Sequence, residues 1–424
     1  MSARFLMLTT FYPPHSFGGD AIGIQRLSRG LVRLGHHVTV VHDTDAYRVL
    51  QDGVIPDAPE HDNDDGVEVI RLRTATPMMS TLLTQQLGRP MVNQRRIREI
   101  MANGKYDVVN FHNVSLIGGP GLFHMASEAV TLYMAHEHWL VCPMHVLWRY
   151  GRELCTGKEC IRCTLSYNRP PQLWRYTGYL DRQLEHIDSI IAMSEFSRAK
   201  HREFGLERDM EVLPYFLPDP ESERVPKPSG ESPNGRPYFF FAGRLERIKG
   251  LDDVIPVFRD LPGVDLLIAG AGTHGPVLQR MAEGMPNVKF LGRVAPEELR
   301  RFYGHALALV VPSECYETFG IVLIEAFRQG TPVVARRLGP FPEILERSGG
   351  GELFSTRDEL LAAMGRLSGD PAYRAELAAS GYRAYAEHWS ERVVVPQYLD
   401  IVRRAAQRRG NARVAELLAL QEVA

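Results

Sequence analysis

The chain has 424 residues, of which 44% are hydrophobic and 24% charged, with a formal net charge of −2. That length exceeds one ordinary core and implies two domains, and the composition is that of a soluble globular protein. The near-neutral balance excludes a dedicated nucleic-acid binder, and no run approaches the roughly 18 apolar residues of a membrane helix.

Residues 4–10 (RFLMLTT) read as a strand, and FYPPHSFGGD (11–20) as a Pro/Gly-rich loop. Over residues 20–34, Ile24, Leu27, Leu31 and Leu34 recur at helical spacing, and Gly35 suits the position just past a helix. The apolar run 5–11 leads into Pro13-Pro14 and Gly18-Gly19 rather than a cleavage site, so a cytoplasmic chain with reduced thiols is expected. Further strands are read at 37–43, 67–73, 106–112, 129–137 and 189–195, each followed by polar or helical sequence. This alternation implies a parallel, doubly wound sheet. The acidic run DAPEHDNDD (57–65) reads as a solvated loop.

LPDPESERVPKPSGESPNGR (217–236) has little to bury and reads as a connection between domains. A second series of strands follows at 238–244, 264–272, 288–294, 306–313 and 331–337. The expected fold class is α/β, with two Rossmann-like, doubly wound halves facing each other across a cleft. The expected domains are 1–216, the linker 217–236, 237–388, and a helical segment 389–424 that closes the chain and crosses back to the first domain. The basic stretches QRRIRE (94–99) and RRAAQRR (403–409) read as exposed helix faces. Contact with an anionic membrane at its inner face is the alternative.

Chemistry concentrates in the second half. GRLERIKG places Gly243, Arg244, Lys249 and Gly250 at the end of a strand, and PSECYETFGIVLIEAFRQGTPVV holds Glu317 and Glu325. Only six of the 49 basic residues are lysine, so a lysine at Lys249 is less readily accidental. A helix beginning near Gly320 offers unpaired N–H groups and a positive dipole end to an anion. Glu325 stands about five residues further, roughly 7–8 Å at 1.5 Å per residue, within reach of two ribose hydroxyls. Arg244 and Lys249 supply positive charge for a diphosphate. Either motif alone reads equally well as a turn with solvated charges; both in this order fit a nucleotide diphosphate bearing a polyol.

These two segments resemble the donor-site signature of the retaining glycosyltransferases of family 4, which have the GT-B fold. FYPPHSFGGDAIGIQRLSRGLVRLGHHVTVV, NFHN (110–113), the AHE at 135–137 and AMSEFSR (192–198) are similar to that family's other landmarks. The resemblance implies transfer of a sugar from a nucleotide-diphosphate sugar to a hydroxyl of a glycan, lipid-linked or small-molecule acceptor, with no catalytic metal. It implies that Arg244 and Lys249 bind the diphosphate and that Glu317 contacts the sugar. The backbone of Thr318, Phe319, Gly320 and Ile321 would line sugar and phosphate, and Gly243 would join the donor contacts. Glu325 would hold the ribose, and the backbone at Arg293 and Val294 would read the base. Gly18 and Gly19 would approach the phosphate or acceptor, and His136 the donor sugar. An epimerase or phosphorylase on the same fold, or a non-catalytic nucleotide-sugar scaffold, are the alternatives. RLGPFPE (337–343) departs from the family's pattern by an added proline and phenylalanine, expected to narrow the donor pocket.

Four of the five cysteines, Cys142, Cys155, Cys160 and Cys163, lie within the insertion 139–165. In a reducing compartment this spacing points to shared coordination, structural zinc first, with an Fe–S cluster, a redox switch, free thiols or disulfides as alternatives. The resemblance places this loop on the acceptor side, so acceptor choice is expected to reside there.

Overall fold

The protein is described by a computed structural model over residues 2–51, 55–226, 228 and 230–419. Contacts divide the chain into two compact units: Met1–Tyr215 together with Glu391–Ala424, and Phe216–Ser390. Each unit is an α/β body built on its own sheet.

The strands of the first unit are β1 (Arg4–Thr9), β2 (His37–Asp43), β3 (His61–Asp64), β4 (Val67–Leu72), β5 (Val108–Phe111), β6 (Val130–Ala135), β7 (Trp148–Arg149), β8 (Glu153–Leu154), β9 (Ser189–Ala192) and β10 (Met210–Val212). Eight of them form one sheet in the order β10-β9-β6-β5-β1-β2-β4-β3, and β7 and β8 make a separate ribbon. Within the large sheet every pairing is parallel except β3 with β4. A parallel strand covered on both faces needs an unbroken apolar run, and Phe5, Leu6, Met7 and Leu8 are all fully buried. The helix Gly19–Arg33 buries Ile24, Leu27 and Leu31 at the spacing read from the sequence, with Ala21 beside them; Leu34 lies past its end and is exposed, and Gly35 takes φ 85° there.

The second unit contains β11 (Tyr238–Ala242), β12 (Asp265–Ala269), β13 (Val288–Gly292), β14 (Leu309–Val311), β15 (Val333–Arg336) and β16 (Gly351–Phe354). They form one sheet in the order β13-β12-β11-β14-β15-β16, parallel throughout. The strand order reverses at β11, as it does at β1 in the first unit. Ligands of such sheets sit outside the carboxyl ends of the strands at the reversal. In the second unit the segments leaving β11 and β14 there are 243–250 and 312–320.

Three expectations change. The acidic run 57–65 is not merely a solvated loop: it supplies β3, and Asp64 accepts hydrogen bonds from Tyr12 Oη (2.7 Å) and Gln25 Nε2 (2.9 Å) while pairing with Arg29. Among residues 217–236, of which Lys227 and Ser229 lie outside the described residues, several are fastened to the second unit. Leu217 N–H donates to Trp389 O (2.9 Å), Tyr382 Oη to Ser222 O (2.5 Å) and Asn234 Nδ2 to Asp265 Oδ2 (3.0 Å). The basic face of the helix Glu391–Arg409 is only partly displayed: Arg408 is exposed, while Arg404 and Arg409 are tied to acidic partners. Arg404 Nη2 lies 3.1 Å from Glu211 Oε2 and Arg409 Nη1 3.0 Å from Asp188 Oδ2, while Val394, Val395, Tyr398, Ile401 and Val402 are buried. Among the described residues no helix is long and apolar enough to cross a membrane.

Candidate active site

In the second unit the two segments at the reversal bring opposite charges together. Lys249 Nζ lies 2.6 Å from Glu317 Oε1, and Ser313 Oγ donates to the same oxygen at 3.0 Å. The backbone compels this approach. Gly250 has φ 72°, and a Cβ there would stand 2.1 Å from Pro312 O, so only glycine lets the loop after β11 lie against the segment after β14. Burial disfavours the charge on Glu317. The Lys249 ammonium and its hydrogen bond, the Ser313 hydroxyl and the more distant Arg244 guanidinium outweigh it, and the carboxyl is held below its ordinary value. Burial likewise opposes the Lys249 charge, but Glu317 prevails and the ammonium is held above its ordinary value. Both groups are ionised at neutral pH. Cys315 is buried with its Sγ 3.9 Å from the same carboxylate oxygen, and burial pushes its thiol up to about 12, which leaves it an unreactive neighbour.

Gly320, at φ 101°, caps the helix Ile321–Arg328. A Cβ on it would stand 2.6 Å from Phe341 Cε1. Phe341 belongs to the segment expected to narrow the donor pocket; its ring is 1% exposed and packs against Gly320 as part of the interior. Phe319 is also buried, edge-on to Trp389 with ring centroids 6.4 Å apart, so only its backbone is on offer to a ligand. Glu325 receives a hydrogen bond from Tyr303 Oη at 3.2 Å. Arg244 is exposed, as is Arg293 just beyond β13, and Gly243 follows β11.

In the first unit Gly18 caps the helix Gly19–Arg33 in an extended conformation. His136, just past β6, is buried in a directed chain. His112 Nε2 contacts Met7 Sδ at 3.4 Å, and a thioether only accepts, so this nitrogen carries the proton. His112 Nδ1 therefore accepts from His136 Nε2–H (2.8 Å), and His136 Nδ1 accepts from Tyr215 Oη (2.5 Å). Burial pulls His136 down to about 4 and His112 well below its ordinary value, so both rings are neutral.

The four clustered cysteines line one cavity between β7–β8 and the helix Cys160–Ser166. All are free thiols, against the disulfide alternative. Among the described residues no group of three or more His, Cys, Asp or Glu side chains is disposed to hold a metal ion as it stands. Ser313, Tyr303 and Tyr215 escaped the reading of the sequence. Ser313 lies within the quoted PSECYE run and could have been flagged there. The other two carry no local signal, because their partners are 22 and 79 positions away.

Two doubly wound units, one with a paired lysine and carboxylate at its strand reversal, are the architecture of the GT-B glycosyltransferases that the chain resembles in structure. Solved structures agree on the fold. Sucrose-phosphate synthase from Thermosynechococcus elongatus superposes with TM-score 0.69 at 19% identity, over 95% of this chain and 98% of that one. Anabaena HepE in complex with UDP-glucose gives TM-score 0.64 at 16% identity, over 94% and 99%. The family model for glycosyl transferases group 1 matches residues 223–384, and that for glycosyltransferase family 4 matches residues 17–219. The D-inositol 3-phosphate glycosyltransferase of Xylanimonas cellulosilytica is 33% identical over 421 residues, covering 92% of this chain and 93% of the relative. The chain belongs to glycosyltransferase family 4 and is a transferase of glycosyl groups.

Proposed function

We propose that this enzyme transfers a sugar with retention from a nucleoside-diphosphate sugar to an acceptor hydroxyl. The observation that carries the reading is the Lys249–Glu317–Ser313 cluster at the head of the helix Ile321–Arg328. Lys249 and Arg244 take the diphosphate, and the helix N-terminus adds its unpaired N–H groups. Lys249, Ser313 and Cys315 all meet Glu317 at Oε1, which leaves Oε2 for a sugar hydroxyl. Glu325, steadied by Tyr303, accepts from the ribose. The backbone at Gly243, Arg293, Val294 and Thr318–Ile321 completes the donor contacts. Gly18, Gly19 and His136 are assigned to phosphate and sugar on family likeness alone.

In the reaction the bond from the anomeric carbon to the leaving phosphate oxygen breaks, and a bond to the acceptor oxygen forms on the same face. The acceptor proton passes to the departing phosphate, whose growing charge Lys249 and Arg244 stabilise. Catalysis is positioning and electrostatic stabilisation, with no separate base. The UDP-glucose held by the HepE neighbour supports a nucleotide sugar as co-substrate. The test is incubation of the full chain with UDP-, GDP-, ADP- and TDP-sugars, following nucleotide release with and without added hydroxyl acceptors. Release above the enzyme-free control from one or more donors is expected; no release from any donor with any acceptor overturns the reading.

A further inference from the structure

The cysteine loop is the one motif of the sequence that sugar transfer does not use. Cys142 follows a short turn at His138–Leu140, Cys155 follows β8, and Cys160 and Cys163 sit three residues apart on one helix. The fold brings all four sulfurs to the wall of one cavity, although they are spread over 22 positions of sequence.

Three further observations concern what that cavity is built for. First, backbone N–H groups are aimed at sulfur: Tyr150 N–H donates to Cys163 Sγ at 3.4 Å, and those of Met144 and Leu147 donate to Cys142. Such donors suit sulfur that carries negative charge. Second, cations flank the cluster. Arg149 and Glu159 line the cavity with the four cysteines and pair with each other (3.3 Å), Arg149 also pairing with Glu153 (3.1 Å); Tyr150 bonds Glu159, and Lys158 stands two positions before Cys160. Arg175 lies against Trp139 and Trp174, donates from Nε to Gln172 Oε1 (2.5 Å) and from Nη1 to Leu140 O (3.4 Å), and keeps its buried Nη2 with no hydrogen-bond partner among the described residues. A buried guanidinium of this kind calls for negative charge that four protonated thiols do not supply. Third, His145, Leu147 and Tyr150 hold φ of 72°, 48° and 58°, a region that non-glycine residues keep only where their surroundings fix them.

The geometry points to a structural zinc site in which Cys142, Cys155, Cys160 and Cys163 bind one Zn²⁺. Binding releases four thiol protons to solvent and gives a tetrathiolate of net charge −2, facing Arg149, Lys158 and Arg175. The side chains as they stand do not converge on one point. The four cysteines line one cavity without forming a metal-holding group among the described residues, so binding requires them to rearrange. Cys155 Sγ, now 3.2 Å from Gly157 O, gives up that contact on binding. The ion fixes the loop 142–163 to the first unit and takes no part in sugar transfer, so this site and the donor reading fail independently.

The test uses the full chain purified in reducing buffer without chelator. Elemental analysis is expected to give about one zinc per chain, retained through dialysis and released by a mercurial thiol reagent. Before that treatment Ellman's reagent is expected to leave the four thiols unmodified. Replacement of zinc by Co²⁺ is expected to give the charge-transfer absorption of tetrahedral thiolate cobalt. Cys163→Ser is expected to lower retained zinc about tenfold, and Cys315→Ser to leave it unchanged. Should Cys163→Ser not fold, the cobalt spectrum and the mercurial release on the unaltered chain decide. Zinc below about a tenth of an equivalent with the four thiols open to Ellman's reagent, a disulfide among them, or iron with sulfide in place of zinc would each overturn the site.

Discussion

The ion pair between Lys249 and Glu317 can be asked whether it serves the donor or only the fold. The perturbation is Lys249→Met, Glu317→Gln and the two together. At 2.6 Å, with side chains 21% and 23% exposed, the pair lies between a surface pair, worth at most about 1 kcal/mol, and a fully buried one, whose breaking costs about 3–5 kcal/mol. Each single variant is therefore expected to cost about 2 kcal/mol of stability, since it leaves the partner's charge half-desolvated. The double variant leaves no orphan charge and is expected to regain about 1 kcal/mol or more of the summed loss. The pH window follows from the directions of the shifts. Glu317 is held low, so its contribution is present above the unfolded carboxyl value and lost as pH falls through the folded one; Lys249 is held high, so its contribution is lost as pH rises through its folded value. Unfolding is accordingly compared near pH 7, where both are charged. Donor turnover is expected to behave differently. Losing one group that stabilises developing charge costs about 100- to 1,000-fold, and under the proposed function, in which both residues contact the donor, the double variant recovers none of it. Denaturant unfolding and kcat/KM for nucleotide release on the same samples separate the two effects. Turnover within about threefold of wild type in Lys249→Met, or restored in the double variant, would show that the pair is only a structural tie.

Gly250→Ala is expected to cost about 3 kcal/mol or more and to abolish donor turnover, because a Cβ would stand 2.1 Å from Pro312 O. Gly284→Ala, at φ 77° with open space around it, is expected to cost only the left-handed penalty of about 1–2 kcal/mol; equal melting shifts for the two would refute the close-approach argument. The first unit is expected to be acid-labile, since His136 and His201 are pulled down to about 4 by burial, and His42 and His112 well below their ordinary value. Below about pH 6.5 the unfolded chain takes up protons that these rings refuse. Stability then falls by about 1.4 kcal/mol per histidine per pH unit, until each folded value is reached. Asp43, pushed up to about 8 by burial and Asp45, opposes this trend, so Asp43→Asn is expected to steepen the acid loss. Urea unfolding at pH 7, 6 and 5 reads this, and equal stability at all three would refute it.

Local physics made a large part of this protein legible in its residues. Apolar runs with β-prone residues marked the central strands, because a parallel strand buried on both faces admits little else. Helical spacing and Gly35 bounded the helix after β1, and the charged segments after β11 and β14 lie where the sequence placed them, at the strand ends of a reversal, as the proposed donor site requires. The charge of the sequence did not say which charges meet. β3 came from a run of acids whose partners, Tyr12, Gln25 and Arg29, lie far back in the chain. The added Phe341 turned out to be interior, its ring packed against Gly320, a contact no local pattern shows. The spacing of the cysteines suggested a shared centre, but the flanking Arg175 lies beyond any local pattern. Sequence determined the elements and the kinds of chemistry, since those depend on neighbours a few residues apart. Only the tertiary structure decided the pairings, Lys249 with Glu317 and His136 with Tyr215, since a contact across 68 or 79 positions is set by how whole strands are ordered in a sheet.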